Sequence, residues 1–266
     1  MRILAFDIGG TKISSAVVSV CGKLLSTPEN VPTPKTAEDI ENYLLKRINA
    51  EEFDGVAFST AGVVFNEKLL AKPHNLPAGY ENINFHKFTD KPVLVENDAN
   101  AALWAEYKIG ALKGTENSIM LTLGTGVGCG IVCDGKILRG KTGAAGEVPF
   151  LVAGGDLANI AAQNGLNEKD CFVLCKLKNE RNPAAVKSFE EWQKRLIDCL
   201  AVLNSILDTE AVALSGSLAE IVDYPEVEKA VNAKGYHNPL RLTKAKTGIN
   251  AGLIGAALLL KDKING

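Results

Sequence analysis

Three segments of this chain follow an apolar β-type run at once with a tight turn of small residues. They are Asp7-Ile8-Gly9-Gly10-Thr11, Leu123-Gly124-Thr125-Gly126-Val127-Gly128 and Leu214-Ser215-Gly216-Ser217. Glycine lets a backbone come close to a ligand and turn its N–H groups toward it. Backbone N–H groups and a threonine hydroxyl suit phosphate oxygens. Read singly, each segment is better taken as a hairpin turn than as a phosphate loop. Together, in this order, the three favour a nucleotide site. A carboxylate completes the set: Asp98, in Asn97-Asp98-Ala99-Asn100, sits at a strand-to-helix junction. There it can take a proton from a hydroxyl, or it can simply cap the helix.

The elements that must hold these residues alternate between β and α patterns. Residues 3–6 form an apolar run into Asp7, and residues 13–18 form its hairpin partner across Gly9-Gly10. A third strand is expected near 23–26, before Pro28, Pro32 and Pro34 break the chain. Residues 36–50 read as a helix, with Ile40, Tyr43, Leu44, Arg47 and Ile48 at helical spacing. Strands follow at 55–59, ending in Thr60-Ala61-Gly62, and at 92–96, with a proline-bounded loop at 73–79 between them. A helix starts at Asn97 or Asp98 and runs through Tyr107. A second cycle then begins, with strands at 118–123, 127–132 and 136–139 and an Asp134-Gly135 turn. The succession of strand, glycine turn, strand, turn, strand thus occurs twice, an internal repeat of supersecondary structure. Helices are expected at 158–162, 169–177, 189–207 and 250–261, and a buried strand at 211–214.

Composition bounds the function. The chain has 266 residues, 46% hydrophobic and 23% charged, with a formal net charge of -2. That charge argues against a nucleic-acid footprint, which needs a basic surface. The N-terminal run is interrupted by charge too soon for a signal peptide. The longest apolar stretch, 251–260, includes glycines and is far below membrane-spanning length. A cytoplasmic protein with no membrane partner is expected. Of the six cysteines, Cys129/Cys133 and Cys171/Cys175 have four-residue spacing, and neither pair is a CxxC. In a reducing compartment such cysteines are small buried hydrophobes more often than disulfides.

Several motifs now converge. Asp-Ile-Gly-Gly-Thr-Lys at 7–12, Asn-Asp-Ala-Asn at 97–100 and Gly-Thr-Gly-Val-Gly-Cys-Gly at 124–130 resemble the ROK family. Gly143-Ala144-Ala145-Gly146-Glu147 and Leu214-Ser215-Gly216-Ser217 add to the likeness, which spans nearly the whole chain. That family contains bacterial glucokinases, N-acetylhexosamine kinases and sugar-responsive repressors.

The resemblance implies an α/β protein of the two-lobed actin-like ATPase (ribonuclease H-like) fold, each lobe a mixed sheet flanked by helices. Residues 1–106 with 249–266 would form one lobe and 107–248 the other, with ATP in the cleft between them. Asp7 would hold Mg²⁺, through water. Gly9, Gly10, Thr11 and Lys12 would lie near the phosphates, Gly124, Thr125 and Gly126 would form a second phosphate loop, and Gly216 would border the adenosine. Asp98 would be the general base toward a hexose or N-acetylhexosamine, transfer going to its 6-hydroxyl. Gly62, Asn75, Asn97 and Glu147 would complete the sugar side. The terminal helix would pack back on the first lobe, and a homodimer is the family's default. The repressor alternative lacks room here for a DNA-binding helix-turn-helix before Ile3. A catalytically weak sugar or nucleotide sensor is the other alternative.

The chain also departs from the family. Members usually follow the Gly-Glu pair with Gly-His, then a cysteine-rich zinc segment and a second sugar-binding glutamate. Here Glu147 is followed by Val148-Pro149-Phe150, and then by Leu151-Val152-Ala153-Gly154-Gly155-Asp156. Phe150 takes the histidine's place and Ala158 falls where the second glutamate belongs. No zinc is expected, and two sugar contacts of the family are missing.

Overall fold

The computed structural model describes residues 1–70, 73–123, 127–148, 156–234 and 239–266. The chain divides into two compact units. One comprises Met1–Lys113, Ile137–Ala145 and Lys246–Gly266; the other comprises Gly114–Lys136 and Gly146–Ala245.

The sheet of the first unit contains β1 (Arg2–Ile8), β2 (Lys12–Ser19), β3 (Glu29–Pro32), β4 (Gly55–Thr60) and β7 (Val93–Asn97) in the order β3-β2-β1-β4-β7. β1 to β3 form an antiparallel meander, and β4 and β7 join it in parallel. The second unit repeats this plan with β8 (Ser118–Leu123), β9 (Val127–Cys133), β10 (Lys136–Ile137), β11 (Ala211–Ser215) and β12 (Arg241–Lys244), ordered β10-β9-β8-β11-β12. β11 again runs parallel to both neighbours. The repeat legible in the sequence is therefore a repeat of whole-sheet topology.

Strand alternation sorts the first sheet's faces. Leu4, Phe6, Ile8, Val56 and Phe58 point into a core with Ile40 and Leu44 of α1 (Ala37–Asn49) and with Tyr80, Phe85 and Phe88. The opposite face carries small and polar residues, Ala5, Asp7, Ala57 and Ser59. Onto it packs α7 (Ala251–Asn265), beside α2 (Asp98–Ile109). The small residues are what let a helix lie this close. A Cβ at Gly255 would fall inside the van der Waals envelope of the Ala101 carbonyl oxygen.

In the second unit α5 (Pro183–Leu207) is the central helix, packing against α3 (Asp156–Gln163), α4 (Cys171–Asn179) and α6 (Tyr224–Asn232). Phe189 and Trp192 bury their rings there edge to face.

Two expectations need correction. The strand at 23–26 is only a single bridge between Val18 and Leu24, and the true third strand is Glu29–Pro32. Its one proline, Pro32, is tolerated because an edge strand needs only half its N–H groups. α5 begins at Pro183 rather than 189, since the Asn182 side chain accepts from Ala184 N and Ala185 N and proline suits a first helical position. Four elements carried no sequence signal: α6, β12 and the short hairpin of β5 (Val64–Phe65) and β6 (Lys68–Leu69). That hairpin turns on Asn66 and Glu67, both with positive φ, and glutamate is not a usual turn residue.

Candidate active site

Asp7 is the last residue but one of β1 and lies in one row with Ser59 on β4, which in turn lies opposite Glu96 on β7. These are the carboxyl ends of parallel strands, where open α/β sheets bind their ligands. The Ser59 hydroxyl donates to Asp7 Oδ1 at 2.7 Å. Burial raises the Asp7 pKa, while that hydrogen bond and the Lys12 charge act to lower it. Gly252 of α7 backs the carboxylate so closely that a Cβ there would stand 2.6 Å from Asp7 Cγ.

The β1–β2 turn is built with its carbonyls facing the protein. Gly9 N donates to Lys12 O at 3.0 Å, Thr33 N donates to Thr11 O at 3.0 Å, and Thr33 Oγ1 donates to Gly9 O at 2.5 Å. Turning carbonyl oxygens inward removes them from the outer surface, where they would repel an anion. Thr11 and Lys12 are exposed. A Cβ at Gly10 would lie 2.6 Å from Asn75 Cβ, so glycine here lets the turn touch the proline-bounded loop. The structure thus brings Gly10 and the exposed Asn75 together, which sequence order does not suggest.

The junction of β7 and α2 resolves the capping question. Asn97 is the N-cap: its Oδ1 accepts from Asn100 N at 3.1 Å. Asp98 stands at the first helical position, with Oδ1 accepting from Ala99 N at 2.8 Å and from Asn97 Nδ2 at 3.1 Å. Asn97 Nδ2 also donates to Gly62 O at 3.0 Å. One amide therefore ties together Gly62, Asp98 and the helix start. Capping falls to Asn97, so the Asp98 carboxylate is not required for it.

Residues that the sequence reading overlooked complete the first unit's site. Tyr80, fully buried, shares a 2.7 Å hydrogen bond with the Thr60 hydroxyl. Burial pushes its phenol pKa well up, and the charges of Asp98 and Asp7 add to the shift. Glu96 is buried and holds Asn97 N, Asn100 and Arg139. A charged residue ending the apolar run Val93-Leu94-Val95 was a usable signal for it.

In the second unit, β8 and β11 end side by side, with Thr122 opposite Ser215. Gly216, at φ +89°, lies against the Leu123 backbone where no side chain fits. The second phosphate loop expected at Gly124, Thr125 and Gly126 continues from Leu123 but lies outside the described residues, as do Phe150 and the segment 151–155. Glu147 is exposed. Burial raises the Cys129 thiol to about 12, with Cys199 and the Glu147 carboxylate adding to the effect.

Comparison with known proteins places this geometry. The model of the ROK family matches residues 3–153 and 151–263. N-acetylmannosamine kinase of Haemophilus influenzae (strain PittGG) is 31% identical across 98% of this chain and 96% of its own length. The Shigella flexneri protein of the same name is 30% identical across 99% of each. Among solved structures, ROK hexokinase from Thermus thermophilus superposes with a TM-score of 0.84 at 28% identity, covering 100% of this chain and 99% of that one. A Streptomyces griseus ROK glucokinase in complex with glucose and AMPPNP gives 0.80 at 28% identity, over 97% and 99%. The duplicated β3-β2-β1-β4-β7 plan is accordingly the actin-like fold of these kinases, and the chain belongs to the ROK family.

Proposed function

We propose that the chain transfers the γ-phosphoryl group of ATP to a hydroxyl of a hexose or N-acetylhexosamine, at the 6-position, with Asp98 as general base. The carrying observation is the position of Asp98: fixed by the Asn97 amide at the mouth of β7, yet relieved of the capping role. The sugar hydroxyl oxygen attacks the γ-phosphorus, its proton passes to the Asp98 carboxylate, and the bond to the leaving ADP oxygen breaks. Phosphoryl transfer asks little covalent chemistry of a protein, so alignment and charge placement dominate.

The residues at Asp7 fit a divalent cation. A buried carboxylate whose pKa burial has raised is stabilised by added positive charge. Mg²⁺ held there through water would neutralise phosphate charge. Gly9, Gly10, Thr11 and Lys12 are assigned to the phosphates, with Gly124, Thr125 and Gly126 as the second phosphate loop and Gly216 at the adenosine. Gly62, Asn75, Asn97 and Glu147 are assigned to the sugar. In this scheme residues 1–106 with 249–266 act as the sugar-side lobe and 107–248 as the adenosine-side lobe, except that Ile137–Ala145 belongs to the first unit. Among the described residues no helix is long and apolar enough to cross a membrane. A cytoplasmic homodimer is the working assignment.

A coupled ADP-release assay with Mg-ATP across glucose, N-acetylmannosamine, N-acetylglucosamine and other hexoses tests this reading. One strong responder is expected. Silence across the panel, with ATP binding measured separately, would overturn the kinase reading in favour of a sensor. Elemental analysis of the purified protein is expected to find no zinc. One zinc per chain would overturn that expectation.

A further inference from the structure

We propose that Arg139 is a positioning residue for the Asp98 base, acting through Glu96. The inference rests on Asp98 being that base. Glu96 is 2% exposed and stands two residues before Asp98. Its Oε1 accepts from Asn97 N at 3.0 Å and from Asn100 Nδ2 at 3.1 Å, and its Oε2 accepts from the Arg139 guanidinium. Asn97 in turn holds Asp98 Oδ1 and Gly62 O through its amide nitrogen, and caps Asn100 N with its amide oxygen. An unbroken set of hydrogen bonds therefore runs from Arg139 through Glu96 and Asn97 to the carboxylate.

Asn100 spends its amide nitrogen on Glu96. Asn100 is 3% exposed, and its Oδ1 has no hydrogen-bond partner among the described residues. Leaving a buried carbonyl unpaired is costly. The amide nevertheless turns its nitrogen to Glu96, whose Oε1 accepts from it at 3.1 Å. A buried carboxylate of this kind needs a cation, and Arg139 supplies it. Arg139 lies in the segment Ile137–Ala145 of the first unit. That segment is itself anchored: Ala145 N donates to Arg139 O at 3.2 Å, and Gly143 lies against Val64 O. The guanidinium is therefore delivered from a fixed frame rather than from a loose surface chain. Its side chain is 39% exposed, so its stem is not an essential part of the core.

A contact that misplaces a reacting group by about 1 Å costs on the order of 10²-fold in rate. The test compares Arg139→Met, Arg139→Lys, Asp98→Asn and the Arg139→Met/Asp98→Asn double variant. Each is assayed for turnover of N-acetylmannosamine, or of glucose if that turns over faster, and for ATP binding by calorimetry. Arg139→Met is expected to lose at least tenfold in kcat, with ATP affinity within about twofold of the parent. Arg139→Lys is expected to recover part of that loss, since it restores the charge without the fork geometry. In the Asp98→Asn background, Arg139→Met should cost nothing further, because the two act as one unit. Parental kcat in Arg139→Met, with Asp98→Asn inactive, would overturn this proposal and leave the base assignment standing. A full additional loss in the double variant would overturn it too. Parental kcat in Asp98→Asn would remove the base assignment and this proposal with it. If Arg139→Met does not fold, Arg139→Met/Glu96→Gln removes both charges of the pair together. Folded and at parental kcat, that variant would equally overturn the proposal.

Discussion

Replacing Asp98 by asparagine is expected to lower kcat by about 10²–10⁴-fold, the range for losing a positioned general base. ATP affinity should stay near the parental value. The substitution is chosen because it leaves the local geometry intact. Asn97 already caps α2, and an amide oxygen at position 98 can still accept from Ala99 N and Asn97 Nδ2. What disappears is the negative charge and with it the basicity. The measurement is steady-state turnover alongside calorimetric ATP binding and a thermal melt. A variant that keeps parental kcat would remove Asp98 from the chemistry. A variant that loses ATP binding as well would show a structural role instead.

The second large effect is on stability. Gly255→Ala is expected to destabilise the protein by about 3 kcal/mol, the upper part of the usual range for overpacking. The added methyl would collide with the Ala101 carbonyl oxygen, which is helical backbone and cannot rotate away. α7 would have to lift from α2, loosening the buried face from Ala251 to Leu260. For a chain of this size the loss amounts to a drop of roughly 6–12 °C in Tm. Ile249→Ala, at a side chain 84% exposed, is the control and should move stability by no more than about 0.5 kcal/mol. Equal melts for the two variants would show that the α2–α7 contact is not tight.

Local chemistry explains what could be read in advance. The glycine turn after Asp7 and the Asp134-Gly135 turn were legible because turn residues act over two to four positions. α1 was legible because Ile40, Leu44 and Ile48 mark one helical face and Thr36 caps it with its side chain. The helix start at 97–98 was legible as a place, but not as a division of labour. Asparagine and aspartate cap equally well, so only the backbone of Asn97, extended at ψ 145°, decided which of the two caps. Glu29–Pro32 was missed because its β character comes from pairing with Lys12–Ser15 rather than from its own residues.

The sequence by itself determined the duplicated strand plan, the family, and the motifs holding Asp7 and Asp98. Each is written in short stretches where residue type and spacing act directly. Only the tertiary structure decided which partners those motifs meet. Ser59 reaches Asp7 because β4 pairs in parallel beside β1, and Gly252 backs the same carboxylate because the terminal helix returns across the sheet. Arg139 meets Glu96 because a segment from beyond β9 folds back onto the first unit. Such contacts depend on sheet register and on where distant chain returns, and no local pattern of residues encodes either.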